Sequence, residues 1–218
     1  MEHPYTCILF DLDGTIADSA PGITATLAYT FAEMGLPIPS PAELLAYVGP
    51  PIMDSFRDRA GMTEGQAAEA LAIYRPHYLE TGAFDSSIFP GIGDVIRAVH
   101  AAGIPISLAT SKPEAPATVM LQHFGLLDEF DVVTGASADE VRSAKVDVVA
   151  EALMRLDSIG ADVSRPVLVG DRVHDVVGAA LNDVPTIFAA WGYGAPAESD
   201  GSVAVAATPA ALQRLLLG

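Results

Sequence analysis

Basic residues are scarce in this chain. Lys and Arg together number 11, against 28 Asp and Glu, so the formal net charge is −17; lysine occurs only at Lys112 and Lys145. A protein that binds nucleic acid normally carries a basic patch, and anionic membrane surfaces attract the same kind of patch. We therefore expect neither a nucleic acid nor a membrane to be the partner of this protein.

Cysteine and long apolar runs are also nearly missing. Cys7 is the only cysteine, so no disulfide can form within the chain, and a reducing compartment is favoured. The segment 1–4 lacks the basic start of a signal peptide. No apolar run approaches the roughly 18 residues that a membrane span requires. We therefore expect a cytoplasmic protein.

Strand and helix patterns alternate along most of the chain. An apolar run at 5–10 predicts a strand that is covered on both faces. Further strands are predicted at 105–109, 131–134, 167–169 and 186–190, and helices at 92–102, 114–124, 144–156, 175–182 and 208–217. Residues 195–203 are polar and predict a surface loop. This alternation is typical of βαβ units, and it predicts an α/β fold with a parallel, Rossmann-like sheet flanked by helices.

A block near the N-terminus has only helical patterns. Helices are predicted at 22–35, 42–48, 52–60 and 64–80, and Thr63 stands at the N-cap position of the last one. Three prolines between residues 37 and 41 separate the first helix from the next. We therefore predict an all-helical cap at 19–83, inserted into an α/β core formed by 1–18 and 84–218.

Polar groups suited to phosphate or metal chemistry follow three of the predicted strands. Asp11 and Asp13 follow the first strand, Thr110 follows the strand at 105–109, and Asp171 follows the strand at 167–169. Parallel α/β sheets bind ligands at the carboxyl ends of their strands. We expect these side chains to converge at that edge of the sheet.

The acidic residues in this set predict a magnesium site. Two carboxylates held close together repel each other unless a cation or a shared proton relieves them, and Mg²⁺ prefers hard oxygen ligands. Asp11 and Asp13 stand two residues apart, and Asp171 offers a further ligand from another strand. Asp175, near a predicted helix start, could orient a metal-bound water.

The sequence resembles the haloacid dehalogenase-like (HAD) superfamily of hydrolases. The resemblance lies in four motifs that occur in the family's order: Asp11-Leu12-Asp13-Gly14-Thr15, Thr110, Lys145 and Gly170-Asp171-Arg172-Val173-His174-Asp175. It covers the chain from residue 6 to about residue 194, and the helical insert resembles the family's C1-type cap. Further stretches, such as Ala109-Thr110-Ser111-Lys112-Pro113 and Gly192-Tyr193-Gly194, resemble the phosphoglycolate-phosphatase and 5′-nucleotidase-like branch.

The resemblance implies a role for each motif residue. Asp11 would be the nucleophile and form an aspartyl-phosphate, and Asp13 would protonate the leaving oxygen and then activate water. Thr110, with Ser111 contributing its backbone N–H, would hold the phosphoryl oxygens. Lys145 would neutralise the charge of those oxygens. This is the chemistry of a phosphatase that acts on small phosphate monoesters.

The same resemblance implies a ligand set for Mg²⁺. It would consist of Asp11, the backbone carbonyl of Asp13, and Asp171, with Asp175 beside them. Lys112 remains open at this stage, because it either faces the site or merely flanks the loop. The third motif reads Lys145-Val146, where many relatives have Lys-Pro, and the local turn is therefore not predicted.

The substrate is expected to be a small phosphorylated metabolite, since a helical cap would roof the site. The resemblance suggests phosphoglycolate or a 5′-mononucleotide, bound by a monomer or a homodimer. Arg75, within the longest predicted cap helix, is the candidate for pairing with a second anionic group of the substrate.

Several alternatives remain within and outside this fold. A sugar-phosphate phosphatase or a phosphoglucomutase would have a similar core. A dehalogenase would not need Asp13, and a phosphonatase would need a cap lysine, which the chain lacks before residue 112. A non-catalytic phosphate-binding or signalling domain, such as a receiver domain, is the alternative from another class. Its phosphorylated Asp would follow a later strand than Asp11 does.

Overall fold

The structure of the protein is a computed structural model that describes residues 3–139 and 141–218. The predicted start of the core at residues 1 and 2 lies outside the described residues. The fold class agrees with the sequence-based prediction: a parallel sheet is flanked by helices and carries a helical insertion.

Six parallel strands form the main sheet, in the order β5-β4-β1-β6-β7-β8. Their bounds are β1 Cys7–Phe10, β4 Ile106–Pro113, β5 Val132–Ala136, β6 Pro166–Gly170, β7 Thr186–Ala189 and β8 Ala204–Ala206. The first strand lies in the middle of the sheet, with β4 on one side and β6 on the other. Successive strands are therefore added on one side of β1 first and then on the other. Open α/β sheets form a binding crevice where the strand order reverses in this way.

Helices cover both faces of this sheet. They are α5 Ile92–Ala101, α6 Glu114–His123, α7 Lys145–Ser158, α8 Val173–Ala180 and α9 Pro209–Leu217. Successive strand side chains point to opposite faces, so the uninterrupted apolar run of β1 serves two cores. Ile8 and Phe10 join one buried cluster, and Cys7 and Leu9 join the other.

The insertion between the first and second motifs is helical. It contains α1 Ala20–Glu33, α2 Pro41–Leu45, α3 Ile52–Asp54 and α4 Glu64–His77, with π-helical segments at Ser55–Arg59 and Tyr78–Gly82. Thr63 caps α4 as predicted: its hydroxyl accepts the N–H of Gln66, and the Gln66 side chain accepts the N–H of Thr63 in return. Gly22 of α1 packs against the backbone of Gly82, where a Cβ would overlap the carbonyl oxygen.

The two connections between this helical cap and the core pair with each other. Strand β2, Ala17–Asp18, lies antiparallel to strand β3, Ser87–Ile88. Neither strand was predicted, because two residues are too few to produce a period-two pattern. Both lie within the segments 16–20 and 82–89, where the insert joins the core.

Two further differences from the sequence-based prediction concern the main sheet. Strand β4 extends to Pro113, beyond the predicted end at residue 109, so Thr110 lies within the strand and not after it. The pairing of β4 with β5 shifts register between Ala109 and Pro113, which lets the strand resume after an irregular stretch. The short edge strand β8 was also missed; it follows the predicted loop at 195–203, which contains a 3₁₀ turn at Pro196–Ser199.

Within residues 3–139 and 141–218, none of the helices has both the length and the apolar character needed to cross a membrane.

Candidate active site

Three neighbouring strands bring their carboxyl ends together at the crevice beside β1. Asp11 follows β1, Thr110 lies near the end of β4, and Asp171 follows β6. All three residues are buried. These three residues thus lie at the edge of the sheet where they were expected, whereas the side chain of Asp13, the fourth member of the expected set, has separate partners.

Three carboxylates form a compact cluster at this point. Oxygen atoms of Asp11, Asp171 and Asp175 all lie within 4.8 Å of one another, and the three residues are buried. Burial raises the pKa of Asp11 to about 6, and the charge of Asp175 adds to this, although the Lys145 ammonium opposes it. Burial, followed by the charges of Asp175 and Asp11, raises the pKa of Asp171 well above its usual value. The cluster is short of positive charge.

One lysine serves two of these carboxylates. The Lys145 ammonium at the start of α7 donates to Asp11 Oδ1 at 2.7 Å and to the carbonyl of Ala109 at 2.9 Å. Its distance to Asp175 Oδ1 is 2.8 Å. Burial alone would lower the pKa of Lys145, but the charges of Asp11 and Asp175 outweigh it and raise the pKa. Lys145 therefore carries its charge inside the site.

Asp171 is fixed by donors from two loops. The Thr15 hydroxyl donates to its Oδ1 at 3.2 Å, and the backbone N–H of Tyr193 donates to its Oδ2 at 2.7 Å. Gly14, with φ +86°, and Gly192 lie so close that a Cβ on either would overlap the Asp171 carboxylate. The two glycines let both loops close around this side chain.

The donor set of the cluster fits a hard divalent cation. Mg²⁺ is typically held by one or two carboxylates together with water and substrate phosphate oxygens. Asp11 and Asp171 offer carboxylate oxygens, while the Asp175 Oδ2 atom already accepts the backbone N–H groups of Asp171 and Arg172 at 3.0 Å. Asp175 is thereby oriented by the backbone, beside the two acids that could ligate a metal directly.

The side chain of Asp13 lies apart from this cluster and has different partners. The Ser19 hydroxyl donates to its Oδ1 at 2.6 Å, and the Lys112 ammonium lies 3.0 Å from its Oδ2. Asp13 is buried, so two donors fix the orientation of its carboxylate in a site of low polarity. The metal-binding role predicted for Asp13 rests on its backbone carbonyl and stays a prediction.

Lys112 faces the site, which answers the question that the sequence had left open. Besides Asp13, its ammonium donates to the Tyr78 hydroxyl at 3.0 Å and lies 4.5 Å from the centre of the Tyr78 ring. Tyr78 belongs to the cap and stacks on Tyr74, with ring centres 5.6 Å apart. A buried ion pair thus connects the first motif to a cap tyrosine through the strand β4.

Thr110 and Ser111 lie between the acidic cluster with Lys145 and the ion pair of Lys112 with Asp13. The Thr110 hydroxyl accepts the backbone N–H of Lys112 at 3.3 Å, and both Thr110 and Ser111 are buried. Ser111 borders two cavities between cap and core. One, of about 370 Å³, is also lined by Lys145, and the other, of about 220 Å³, is also lined by Asp13. A phosphoryl group bound near Ser111 would be adjacent to both the cavity that Lys145 lines and the cavity that Asp13 lines.

A comparison with known protein families decides the assignment of the whole chain. The family model described as haloacid dehalogenase-like hydrolase matches residues 8–189. The chain belongs to this family. The match includes all four motifs and the helical cap, so the HAD-like resemblance noted in the sequence is confirmed.

Curated relatives carry different activities in their names. A tyrosine-protein kinase PtkA of Mycobacterium tuberculosis is 41% identical over 187 residues, which cover 86% of this chain and 62% of the relative. A 5′-nucleotidase of Pseudomonas aeruginosa is 34% identical, and the match covers 89% of this chain and 86% of the relative. A phosphoglycolate phosphatase of Rhodospirillum rubrum is also 34% identical, and the match covers 91% of this chain and 85% of the relative. The chain thus spans about three fifths of the length of PtkA.

A solved HAD-like structure has the same overall arrangement. The crystal structure of a predicted phosphatase from Clostridium acetobutylicum superposes with a TM-score of 0.89 at 31% identity, covering 96% of this chain and 97% of that one. The superposition therefore includes nearly all of the cap and core elements described above.

Two side chains of the site are poorly predictable from the sequence. Tyr193 donates its hydroxyl to Asp18 Oδ1 at 2.7 Å and accepts the N–H of Ala20 at 3.0 Å. The Trp191 indole N–H donates to the carbonyl of Thr15 at 3.0 Å. Both follow β7, and that position was the only available signal, since core packing explains such aromatic residues equally well.

Proposed function

We propose that the chain is a Mg²⁺-dependent phosphatase that hydrolyses small phosphate monoesters through an aspartyl-phosphate on Asp11. The observation that carries this proposal is the placement of two separate carboxylates. Asp11 lies in the acidic cluster beside Lys145, while Asp13 lies outside it with Lys112 and Ser19. One carboxylate is suited to attack and the other to proton transfer.

In the first half of the reaction, a carboxylate oxygen of Asp11 attacks the phosphorus atom. The bond between phosphorus and the ester oxygen breaks, and Asp13 donates a proton to that oxygen as the alcohol leaves. Lys145 and the groups around Thr110 and Ser111 stabilise the negative charge on the phosphoryl oxygens. Positioning and electrostatics of this kind dominate phosphoryl transfer.

In the second half, water attacks the phosphorus of the aspartyl-phosphate. The carboxylate of Asp13 accepts the proton of this water, which regenerates the acid form used in the first step. The acyl phosphate bond breaks, inorganic phosphate leaves and Asp11 is free again. The orientation that Ser19 and Lys112 impose on Asp13 is the one available to both steps.

Bound Mg²⁺ would supply positive charge that offsets the repulsion between the Asp11 carboxylate and the substrate phosphate. Asp11, Asp171 and the backbone carbonyl of Asp13 would hold it, with Asp175 beside them. The short supply of positive charge around the acidic cluster supports this assignment. Among the residues that the structure describes, Lys145 contacts two of the three buried carboxylates, Asp11 and Asp175.

The substrate proposed from the family branch is phosphoglycolate or a 5′-mononucleotide, with a sugar phosphate as the alternative. The matches to the relatives named 5′-nucleotidase and phosphoglycolate phosphatase extend over most of the length of those relatives. Cap and core residues line the same two cavities beside the crevice, which favours small metabolites and, in the proposed cytoplasmic setting, no macromolecular partner. A monomer or a homodimer would both present this site.

The acceptor of the phosphoryl group separates hydrolysis from the other activities of the same fold. Water as the acceptor gives a phosphatase, a sugar hydroxyl gives a mutase, and a tyrosine hydroxyl with a nucleotide donor would match the name of the PtkA relative. The relatives that are named as 5′-nucleotidase and phosphoglycolate phosphatase support water as the acceptor.

The decisive experiment combines phosphate release with trapping of the intermediate. Purified protein is assayed on a panel of phosphate esters, with Mg²⁺ and with EDTA, and acid-quenched samples are mapped by mass spectrometry for a phosphoryl group on Asp11. We expect Mg²⁺-dependent release and modification of Asp11. Asp11→Asn should abolish both, whereas Asp157→Asn, an exposed acid of α7, should behave like the wild type.

Full activity in EDTA, or substantial turnover by Asp11→Asn, would contradict the mechanism. Transfer of phosphate from ATP to tyrosine without phosphate release from esters would replace the proposed function with a kinase.

A further inference from the structure

A cavity of about 220 Å³ opens beside the Asp13 carboxylate, between the cap and the core. Its walls are mainly carbon. The cap contributes Tyr47, Ile52 and Leu79, and the core contributes Pro113 and Ala115. Ligand sites of this type are lined mostly by apolar and aromatic groups, with a few polar groups that fix the orientation of the ligand.

The charged groups at this cavity already have partners. Lys112 pairs with Asp13 and contacts the Tyr78 hydroxyl. Arg75 donates to the backbone carbonyl of Ala138 at 3.2 Å. A carboxylate on the substrate would have to compete for these cations and would also lose its water against apolar walls, which is costly.

The position of Asp13 determines which part of a substrate reaches the cavity. In the proposed reaction the proton of Asp13 goes to the ester oxygen, so that oxygen lies next to the carboxyl group. The group attached to the oxygen must continue away from Asp11, and the cavity that Asp13 borders is the adjacent space. The leaving group, not the phosphate, therefore meets these apolar walls.

We propose that this cavity binds the leaving group of the substrate and selects an uncharged, apolar group about the size of one ring. The inference rests on the proposed phosphatase function, and it replaces phosphoglycolate and the 5′-mononucleotide, which the family branch suggests, by a substrate with an apolar leaving group. An apolar protein cavity of about 150 Å³ can bind benzene, so about 220 Å³ accommodates one ring and a short linker. Glycolate would leave its carboxylate against these mainly apolar walls, where Lys112 and Arg75 already have partners.

The test compares esters whose leaving alcohols have similar basicity. Benzyl, cyclohexylmethyl and ethyl phosphate, phosphoglycolate and a 5′-mononucleotide are all alkyl esters, so differences in kcat/KM report binding of the leaving group. We expect kcat/KM for the benzyl and cyclohexylmethyl esters to exceed that for ethyl phosphate about tenfold or more, which corresponds to burial of one ring.

Two variants localise the preference to this cavity. Ala115→Phe adds a ring to the wall from an exposed position in the first turn of α6, and it should lower the benzyl-to-ethyl ratio about tenfold. Ala150→Phe, at an exposed position of α7 outside the cavity, is the matched control and should keep the wild-type ratio. Leu79→Asn changes the polarity of a wall residue that is 41% exposed, so this variant tests the ratio without loss of a core side chain.

The outcomes separate this inference from the proposed function. Higher kcat/KM for phosphoglycolate or the mononucleotide than for benzyl phosphate would overturn the inference, and the first of these would support the anion-binding role predicted for Arg75. Equal values for all esters, or an unchanged ratio in both Ala115→Phe and Leu79→Asn, would also overturn it while leaving the phosphatase intact. Absence of hydrolysis of every ester would refute the proposed function itself.

Discussion

Replacing Lys112 by methionine tests the buried ion pair at the centre of the site. Methionine keeps most of the length of the side chain but removes its charge. The side chains of Lys112 and Asp13 are only 7% and 9% exposed, and the ammonium lies 3.0 Å from Asp13 Oδ2. Removal of one partner from such a pair leaves the other charge buried without compensation, which typically costs about 3–5 kcal/mol.

The expected loss lies at the lower end of that range. Asp13 keeps the hydrogen bond from the Ser19 hydroxyl, at 2.6 Å, after the lysine is gone. The Tyr78 hydroxyl keeps its contact with the Met120 sulfur at 3.3 Å. We therefore expect Lys112→Met to lower the free energy of unfolding by about 3 kcal/mol.

Urea unfolding followed by both circular dichroism and the fluorescence of Trp191, the only tryptophan, measures this quantity. The double variant Asp13→Asn with Lys112→Met removes both charges. It should be more stable than the sum of the single effects predicts, by about 2 kcal/mol, if the two groups interact directly. A loss below about 1 kcal/mol in Lys112→Met, or additive effects in the cycle, would refute the reasoning, because an exposed pair behaves in that way.

Three further predictions concern the acidic cluster and the cap connections. Asp171→Asn should weaken Mg²⁺ binding about tenfold or more in isothermal titration calorimetry, since it removes a charged ligand; unchanged affinity would exclude Asp171 as a ligand. Gly192→Ala should also weaken Mg²⁺ binding, because the added Cβ would overlap the Asp171 carboxylate, and a crystal structure should reveal a displaced Asp171 side chain. Tyr193→Phe removes the hydroxyl that contacts Asp18 and Ala20, so hydrogen exchange of amides 17–20 should accelerate; equal protection in both proteins would count against this link.

Much of the acidic cluster is predictable because parallel sheets align the ends of their strands. Asp11 follows an apolar run directly and Asp171 follows one after Gly170, so the strand pattern places both carboxylates at the same edge of the sheet, and the pairing of β1 with β6 makes them neighbours. The Thr63 cap is predictable for a local reason, since its partner Gln66 is three residues away.

The environment of Asp13 was not predictable in the same way. Lys112 meets Asp13 only because β4 continues past Ala109 through a register shift and pairs again at Pro113. A strand of polar and small residues carries no apolar period, so the pattern ended at residue 109. The pairing of β2 with β3 was not predictable either. Each of these strands has only two residues, and their extended conformation depends on the partner strand and not on the strand propensity of the residues.

These contacts divide the site into two parts with different supports. The acidic cluster and Lys145 are held mainly by core elements, through the loops after β1, β6 and β7 and the start of α7. The cap reaches this part indirectly, where the N–H of Ala20 donates to the Tyr193 hydroxyl. Asp13, in contrast, contacts Ser19 at the beginning of the cap and reaches Tyr78 of the cap through Lys112. A movement of the cap would therefore alter the partners of Asp13, the proposed proton donor, more directly than those of Asp11, the proposed nucleophile. In a phosphatase of this design, cap closure would do more than exclude water, because it would also set the orientation of the acid that protonates the leaving group.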